Sequence, residues 1–241
     1  MEDNKTILSI VTVTLNCVDT LGRTLRSVEA IKNEDVEYLV IDGASTDGTL
    51  DLIKDYRHLI DQIVSEPDGG IYNAMNKGAS LASGRYILFI NGDDELFVEG
   101  FPAVIKAMKD GAADVICATT LVGPMDEPDE ILVAKPLGLL FFNTIPHPSS
   151  FVKASLMRSK PFREDLRIVS DYDFFLQAYL ERRSFKIVPG VTAKHQRGGV
   201  SGNQKLSADE IEQVRRERLG RWFYILEAGA AVYRIVKKWI G

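Results

Sequence analysis

Two adjacent carboxylates, Asp93 and Asp94, close the stretch 85–96, which reads Arg-Tyr-Ile-Leu-Phe-Ile-Asn-Gly-Asp-Asp-Glu-Leu. Side by side they repel each other unless a cation neutralises them, and hard oxygen ligands suit Mg2+ or Mn2+. A phosphate-bearing substrate would complete the octahedron of such an ion. Residues 86–90 are too short an apolar run for an ordinary helix and are rich in β-formers, which predicts a buried strand. Ligands of an open α/β sheet bind at the carboxyl ends of its strands, so both acids stand at the mouth of a crevice. The competing reading makes Asn91-Gly92 a hairpin turn with solvated acids. Residues 96–101 do not alternate like a returning strand, which weighs against it.

Further residues have the chemistry for a site. Asp171 and Asp173 open a helical pattern over 171–179. Residues two apart on a helix diverge, so one of them is available as a proton acceptor and the other is a cap or surface acid. His147 lies between two prolines and is a candidate for an acceptor site. His195, in a glycine-rich loop over 194–203, is a candidate metal or diphosphate contact. The ordinary alternative for both is a hydrogen-bonded structural histidine. Arg197 in the same loop has the planar fork that meets phosphate, or is a solvated surface arginine.

The elements that would position these groups follow in order. Strands are predicted at 7–13, 38–41, 62–65 and 86–90, with helices at 18–31, up to 56, and at 71–82. This β-α alternation implies right-handed crossovers and a mainly parallel sheet covered on both faces. Each of the four strands hands a polar loop to the same sheet edge, at 14–17, 42–47, 66–70 and 91–94. Independent turns have no need of acids at so many strand ends. Beyond residue 96 the pattern weakens. It predicts a helix at 101–108, strands at 114–119, 131–134 and 150–152, a short helix to 159, and a strand at 185–188.

Bulk composition narrows the class. The 241 residues are 26% charged and 45% hydrophobic, as in an ordinary globular protein. A formal net charge of −5 gives no electrostatic footprint for nucleic acid. The two cysteines, Cys17 and Cys117, make no disulfide framework or metal cluster and suit a reducing cytoplasm. No signal peptide and no membrane-spanning run is visible.

The loops taken together resemble glycosyltransferase family 2, the inverting nucleotide-sugar transferases with a GT-A fold. The matching text is Ser-Ile-Val-Thr-Val-Thr-Leu-Asn at 9–16 and Val-Ile-Asp-Gly-Ala-Ser-Thr-Asp-Gly-Thr at 40–49. It continues in Ser-Glu-Pro-Asp-Gly-Gly-Ile-Tyr-Asn-Ala-Met-Asn-Lys-Gly at 65–78, Asn-Gly-Asp-Asp at 91–94 and Ser-Asp-Tyr-Asp at 170–173. Five motifs in order over about residues 7–203 are specific where one alone is not. The resemblance implies a Rossmann-like, mostly parallel α/β sheet flanked by helices. Residues 1–120 would form a nucleotide-sugar half and 121–203 an acceptor half. It further implies that Thr14, Asn16 and Asp42 hold the nucleobase, with Asp42 accepting from the ring imide N–H. Asp68 and Asn76 would line the nucleotide pocket, Asp93 would meet ribose or sugar, Asp94 would bind Mg2+ or Mn2+, and Asp171 would be the base. Two positions depart from the family. Asn91 puts an amide first in the acidic element, leaving Asp94 as the sole protein ligand. Met75 stands where many members carry arginine, and Lys77 is the candidate substitute, or else a solvated helix lysine.

The implied activity is sugar transfer from a nucleotide-sugar donor, UDP-linked by preference, to a glycan or lipid-linked acceptor of cell-surface polysaccharide synthesis. Two other readings stay open. A sugar-nucleotide nucleotidyltransferase would share fold and metal, but usually shows a glycine-rich, arginine-containing loop after the first strand, where this chain has Thr-Leu-Asn-Cys. A non-catalytic membrane-surface module leaves the acids at successive strand ends unexplained. The segment 204–241 is predicted to be an amphipathic helical tail, net basic on an acidic chain. It has two readings as well. Its aromatics flanked by Arg and Lys suit an interfacial helix, which would place the protein at the inner face of the cytoplasmic membrane. An apolar stripe of this kind equally suits a helix packed on protein.

Overall fold

The structure, a computed structural model, describes residues 6–111, 113–124, 126–196 and 203–229. The first half alternates as its periodicity predicts: β1 (Leu8–Thr14), α1 (Val18–Glu29), β2 (Val36–Asp42), α2 (Thr49–Asp55), β3 (Gln62–Ser65), α3 (Ile71–Leu81) and β4 (Tyr86–Asn91). The second half comprises β5 (Glu95–Leu96), α4 (Phe101–Lys109), β6 (Val115–Gly123), β7 (Glu130–Val133), β8 (Ser150–Lys153), α5 (Ala154–Ser159), α6 (Ser170–Leu180), β9 (Phe185–Gln196) and α7 (Gln204–Leu219). Residues 221–229 are helical again.

All strands join one sheet in the order β3-β2-β1-β4-β8-β6-β9-β5, with β7 pairing β6 beyond the stretch that meets β8. The first four are parallel, β8 enters antiparallel to β4, and β9 runs parallel to β6. Register brings the ends of the parallel strands level: Thr14 lies beside Asp42, Val13 beside Asn91, and Asp42 beside Ser65. The polar loops therefore do leave one edge together. Every residue of β1 is buried, because helices cover both faces. One apolar cluster joins Val11, Leu39 and Ile41 to α3, α5, α6 and α7, and the other joins Ile10, Tyr38 and Val40 to α1, α2 and α4.

Two features differ from the expectation. The last strand does not stop at 188 but runs on to Gln196, so His195 sits on a strand rather than in a loop. Pro189-Gly190 reads as a break, yet Gly190 takes a φ of +105° and the ladder to β6 absorbs it with register shifts around Thr119. The first part of the predicted tail is packed on protein: Val214, Leu219 and Phe223 belong to the apolar cluster beneath α6. Residues 230–241 lie outside the described residues. Among the described residues no helix is long and apolar enough to cross a membrane.

Gly84 sets how closely β4 starts against β1. Its N–H bonds Ser9 Oγ at 2.8 Å, and an added Cβ would come within 2.6 Å of the Ser9 backbone N. Backbone cannot step aside as a flexible side chain can. Gly84→Ala is therefore expected to destabilise the fold by about 1–3 kcal/mol, the usual cost of overpacking. A urea midpoint equal to that of the parent would refute this reading.

Candidate active site

The loops at the strand ends are first of all tied to one another. Asn16 takes a φ of +49°, its N–H bonds Ser45 Oγ at 2.8 Å, and its Oδ1 accepts from Thr46 N at 2.8 Å. Thr14 Oγ1 bonds Cys17 Sγ. Asp42 is 1% exposed, and its oxygens accept from Ser45 N, Ser45 Oγ and Ser65 Oγ. Asn76 spends its amide on Phe162 N and O and on Glu164. Lys77 pairs with Glu66 at 2.9 Å. In this geometry Thr14, Asn16, Asp42 and Asn76 hold loops in place. Of the acids expected at the nucleotide, Asp68 and Asp93 are the more accessible.

Asp68 meets the β2 loop at Gly43. A Cβ on Gly43 would lie 2.7 Å from Asp68 Oδ2 and 3.3 Å from Leu15 Cδ1, so only glycine lets the two approach. Leu15 is 57% exposed, a large apolar side chain left open beside a half-buried carboxylate. Asp68 Oδ1 is fixed by Gly70 N at 2.8 Å, which leaves Oδ2 without a hydrogen bond among the described residues.

Asp94 has no exposed surface. Its Oδ1 meets His195 Nδ1 at 2.7 Å and Gln196 N at 3.3 Å, and its Oδ2 accepts from Asn91 N at 3.3 Å. Burial by itself disfavours a charged His195 ring, but the bond to Asp94 and the charges of Asp94, Asp93 and Asp171 prevail and raise its pKa above the ordinary histidine value. Asp93 is shifted upward by burial and by the neighbouring charge of Asp94. The site thus demands positive charge. Two acceptors close to it, Asn91 Oδ1 and Gln196 Oε1, are buried without a hydrogen-bond partner among the described residues. A carboxylate, an imidazole and unpartnered amide oxygens fit a divalent cation. Among the described residues no set of three or more His, Cys, Asp and Glu comes together as a metal cluster, so substrate oxygens would have to fill the remaining positions.

Across from this cluster stands Asp171, at the start of α6 and 8% exposed. Oδ1 accepts from Tyr172 N at 2.8 Å and from Tyr72 Oη at 3.4 Å, while Oδ2 accepts from Asn143 Nδ2 at 3.2 Å. His147 lies between the two acidic groups. Its Nδ1 is 3.7 Å from Asp171 Oδ2, its Nε2 is 3.4 Å from Asn91 Nδ2, and its ring stacks edge-on to His195. Burial lowers its pKa despite the charges of Asp171 and Asp94, which favours the neutral ring. Asp173 turns away, as expected of a residue two further on, but it is neither cap nor surface acid. Arg218 of α7 grips it with two bonds of 2.8 and 2.7 Å. Tyr72 and Asn143 were not singled out in the sequence. Tyr72 lies inside a quoted motif, whereas nothing local marks Asn143. Arg197 lies outside the described residues.

Comparison with known proteins agrees with this geometry. The model of Glycosyl transferase family 2 matches residues 9–168, and the chain belongs to that family. A glycosyltransferase of Mycobacterium tuberculosis H37Rv, Rv1514c, is 30% identical over 190 residues, covering 72% of this chain and 69% of the relative. A PGL/p-HBAD biosynthesis glycosyltransferase of Mycobacterium bovis BCG is 27% identical over 186 residues, with 72% and 70% covered. The fold is that of Staphylococcus aureus TarS 1–349 solved with UDP-GlcNAc, with TM-score 0.70 and 19% identity over 88% of this chain and 65% of that one. It is also that of glucosyl-3-phosphoglycerate synthase from Mycobacterium tuberculosis, solved with Mn2+, UDP and glucosyl-3-phosphoglycerate. There the TM-score is 0.63 and the identity 18%, over 89% and 80% of the two chains. The sheet is a GT-A sheet, and the protein is a glycosyltransferase.

Two substitutions probe this site. Asp94→Asn replaces one accepting oxygen with N–H2, which then faces either Asn91 N or the pair His195 Nδ1 and Gln196 N. It should cost about 1–3 kcal/mol of stability and abolish Mn2+-dependent stabilisation by UDP; Mn2+-dependent binding that survives would clear Asp94 of the role. Asp68→Asn should weaken UDP at least tenfold while the melting temperature of the free protein stays put. Unchanged UDP affinity by calorimetry would remove Asp68 from the pocket.

Proposed function

We propose that the chain moves a sugar, with inversion, from a UDP-sugar to a hydroxyl of a glycan or lipid-linked acceptor during synthesis of a cell-surface polysaccharide, at the cytoplasmic face of the membrane. The observation that supports it most is the pair of acidic groups facing each other across His147: Asp94 with His195 on one side, Asp171 on the other. Inversion at an anomeric carbon asks for a neutralised leaving group on one face and a proton acceptor on the opposite face.

On this reading the uracil lies against Leu15 and gives its imide N–H to Asp68, with Asp42 bracing the loop from behind. Asp93 meets the ribose or the sugar. Asp94 and His195 hold a divalent cation, with Asn91 and Gln196 beside them. When bound, that cation offsets the charge growing on the diphosphate as it leaves. Asp171 takes the proton of the acceptor hydroxyl as the hydroxyl oxygen attacks. Asn143 and the Tyr172 N–H keep its carboxylate in one orientation, so no ordering is needed during reaction. His147, neutral, fills the space between base and cation site and is placed to touch the acceptor. A UDP donor is supported by the nucleotides in the two solved relatives.

The test is a donor assay with a panel of UDP-sugars. Sugar release from one of them, dependent on Mg2+ or Mn2+ and stopped by chelator, is expected. Turnover that needs pyrophosphate instead would mark a nucleotidyltransferase. Asp171→Asn should lower transfer by roughly 10²–10⁴-fold, the usual worth of a general base, at unchanged donor affinity. An active Asp171→Asn beside a dead Asp173→Asn would overturn the assignment.

A further inference from the structure

The helix carrying Asp171 begins without a cap of its own. Its N-cap residue is Val169, whose side chain cannot accept a hydrogen bond. The segment leading into it is held instead from α7. Glu210 is 7% exposed and takes three successive backbone N–H groups: Arg167 N at 2.8 Å on Oε1, then Ile168 N at 2.9 Å and Val169 N at 3.2 Å on Oε2. The carbonyl of Ile168 is held in turn by Tyr72 Oη at 2.6 Å, and that hydroxyl also approaches Asp171 Oδ1. About two turns further along α7, roughly 12 Å of rise, Arg218 takes the carboxylate of Asp173. Between them Val214 is fully buried in the cluster that includes α6. One face of α7 therefore grips the backbone leading into α6 and the side chain two residues past Asp171.

We propose that Glu210 is a positioning residue for sugar transfer: through the backbone of residues 167–169 it fixes the turn that presents Asp171. The inference rests on the reading of Asp171 as the base. A negative charge at a helix N-terminus is favourable in itself, so a carboxylate here would stabilise the protein with or without catalysis. The arrangement has a further property, however. Each bond ends within four residues of Asp171 on the chain, and the Tyr72 hydroxyl joins the clamped carbonyl directly to the base. A shift of about 1 Å in a reacting group is enough to cost two orders of magnitude in rate.

Glu210→Gln keeps the shape but not the charge. Glu210→Asp keeps the charge but falls one methylene short of the backbone, and it carries the test if the first variant does not fold. Each is compared with parent after confirming its thermal transition. A kcat for transfer at least tenfold lower, with donor KM within twofold, is expected. The deciding measurement is the same substitution in an Asp171→Asn background, where the residual rate should change less than twofold, because a residue that acts through Asp171 has nothing left to position. An equal fold-loss in both backgrounds, a donor KM that rises in step, or a folded variant with parental kcat would each overturn the proposal. Near-normal transfer by Asp171→Asn alone would instead sink the base assignment on which it stands.

Discussion

A carboxylate with no exposed surface must be met by donors and by positive charge, or it does not stay ionised. Asp94 is such a group, and the way it is met organises the crevice. Its donors come from two places far apart in the chain: the amide of Asn91 at the end of β4, and His195 with Gln196 at the end of β9. Its own carbonyl accepts from Thr24 of α1 at 2.6 Å. The first parallel strands and the last strand of the sheet are thereby fastened at one residue. Were Asp94 an apolar residue, β9 would keep its ladders to β5 and β6, but the imidazole of His195 and the N–H groups of Gln196 and Asn91 would lose the acceptor that ties them together.

Much of this was legible because strand periodicity and strand-end chemistry are local. Four apolar runs each followed by a polar loop imply a parallel sheet with an acidic edge, and that edge exists. The Asp93-Asp94 pair stood out because two adjacent carboxylates at a strand end repel each other unless something offsets their charge. The helix opposite was foreseen as well, down to the divergence of Asp171 and Asp173.

What was not legible depends on partners distant in sequence. Asp42 and Asn76 have the chemistry of ligand contacts, and only the fold reveals the bonds they make to Ser45, Ser65, Phe162 and Glu164, while Asn16 ties its N–H and Oδ1 to Ser45 and Thr46. A polar side chain that ties two loops and one that meets a ligand look the same in a sequence. Asp173 was assigned to a cap or to solvent because Arg218 lies in a segment that reads as a detachable tail. Glu210 is one more acid on a helix rich in charge, and nothing near it in sequence shows a bare helix start waiting at Val169. The end of β9 was lost for a different reason. Pro189-Gly190 is a turn signal by any local rule, and only pairing with β6 overrules it.

The two histidines explain how three acids share so small a space. Asp94, Asp93 and Asp171 would repel one another, and burial strengthens that repulsion by lowering the local dielectric. The rings between them respond in opposite directions. His195, bonded to Asp94, is drawn toward the charged form, and His147, buried and near 3.7 Å from Asp171, toward the neutral one. The first tendency offsets the acids on its own side, and the second lets a ring space the two sides apart with little added charge. A cation arriving with a diphosphate would take over the balancing role of His195, while the spacing by His147 would persist. Asp171 would then remain an unpaired carboxylate, held by neutral donors only, which is the state a proton acceptor requires.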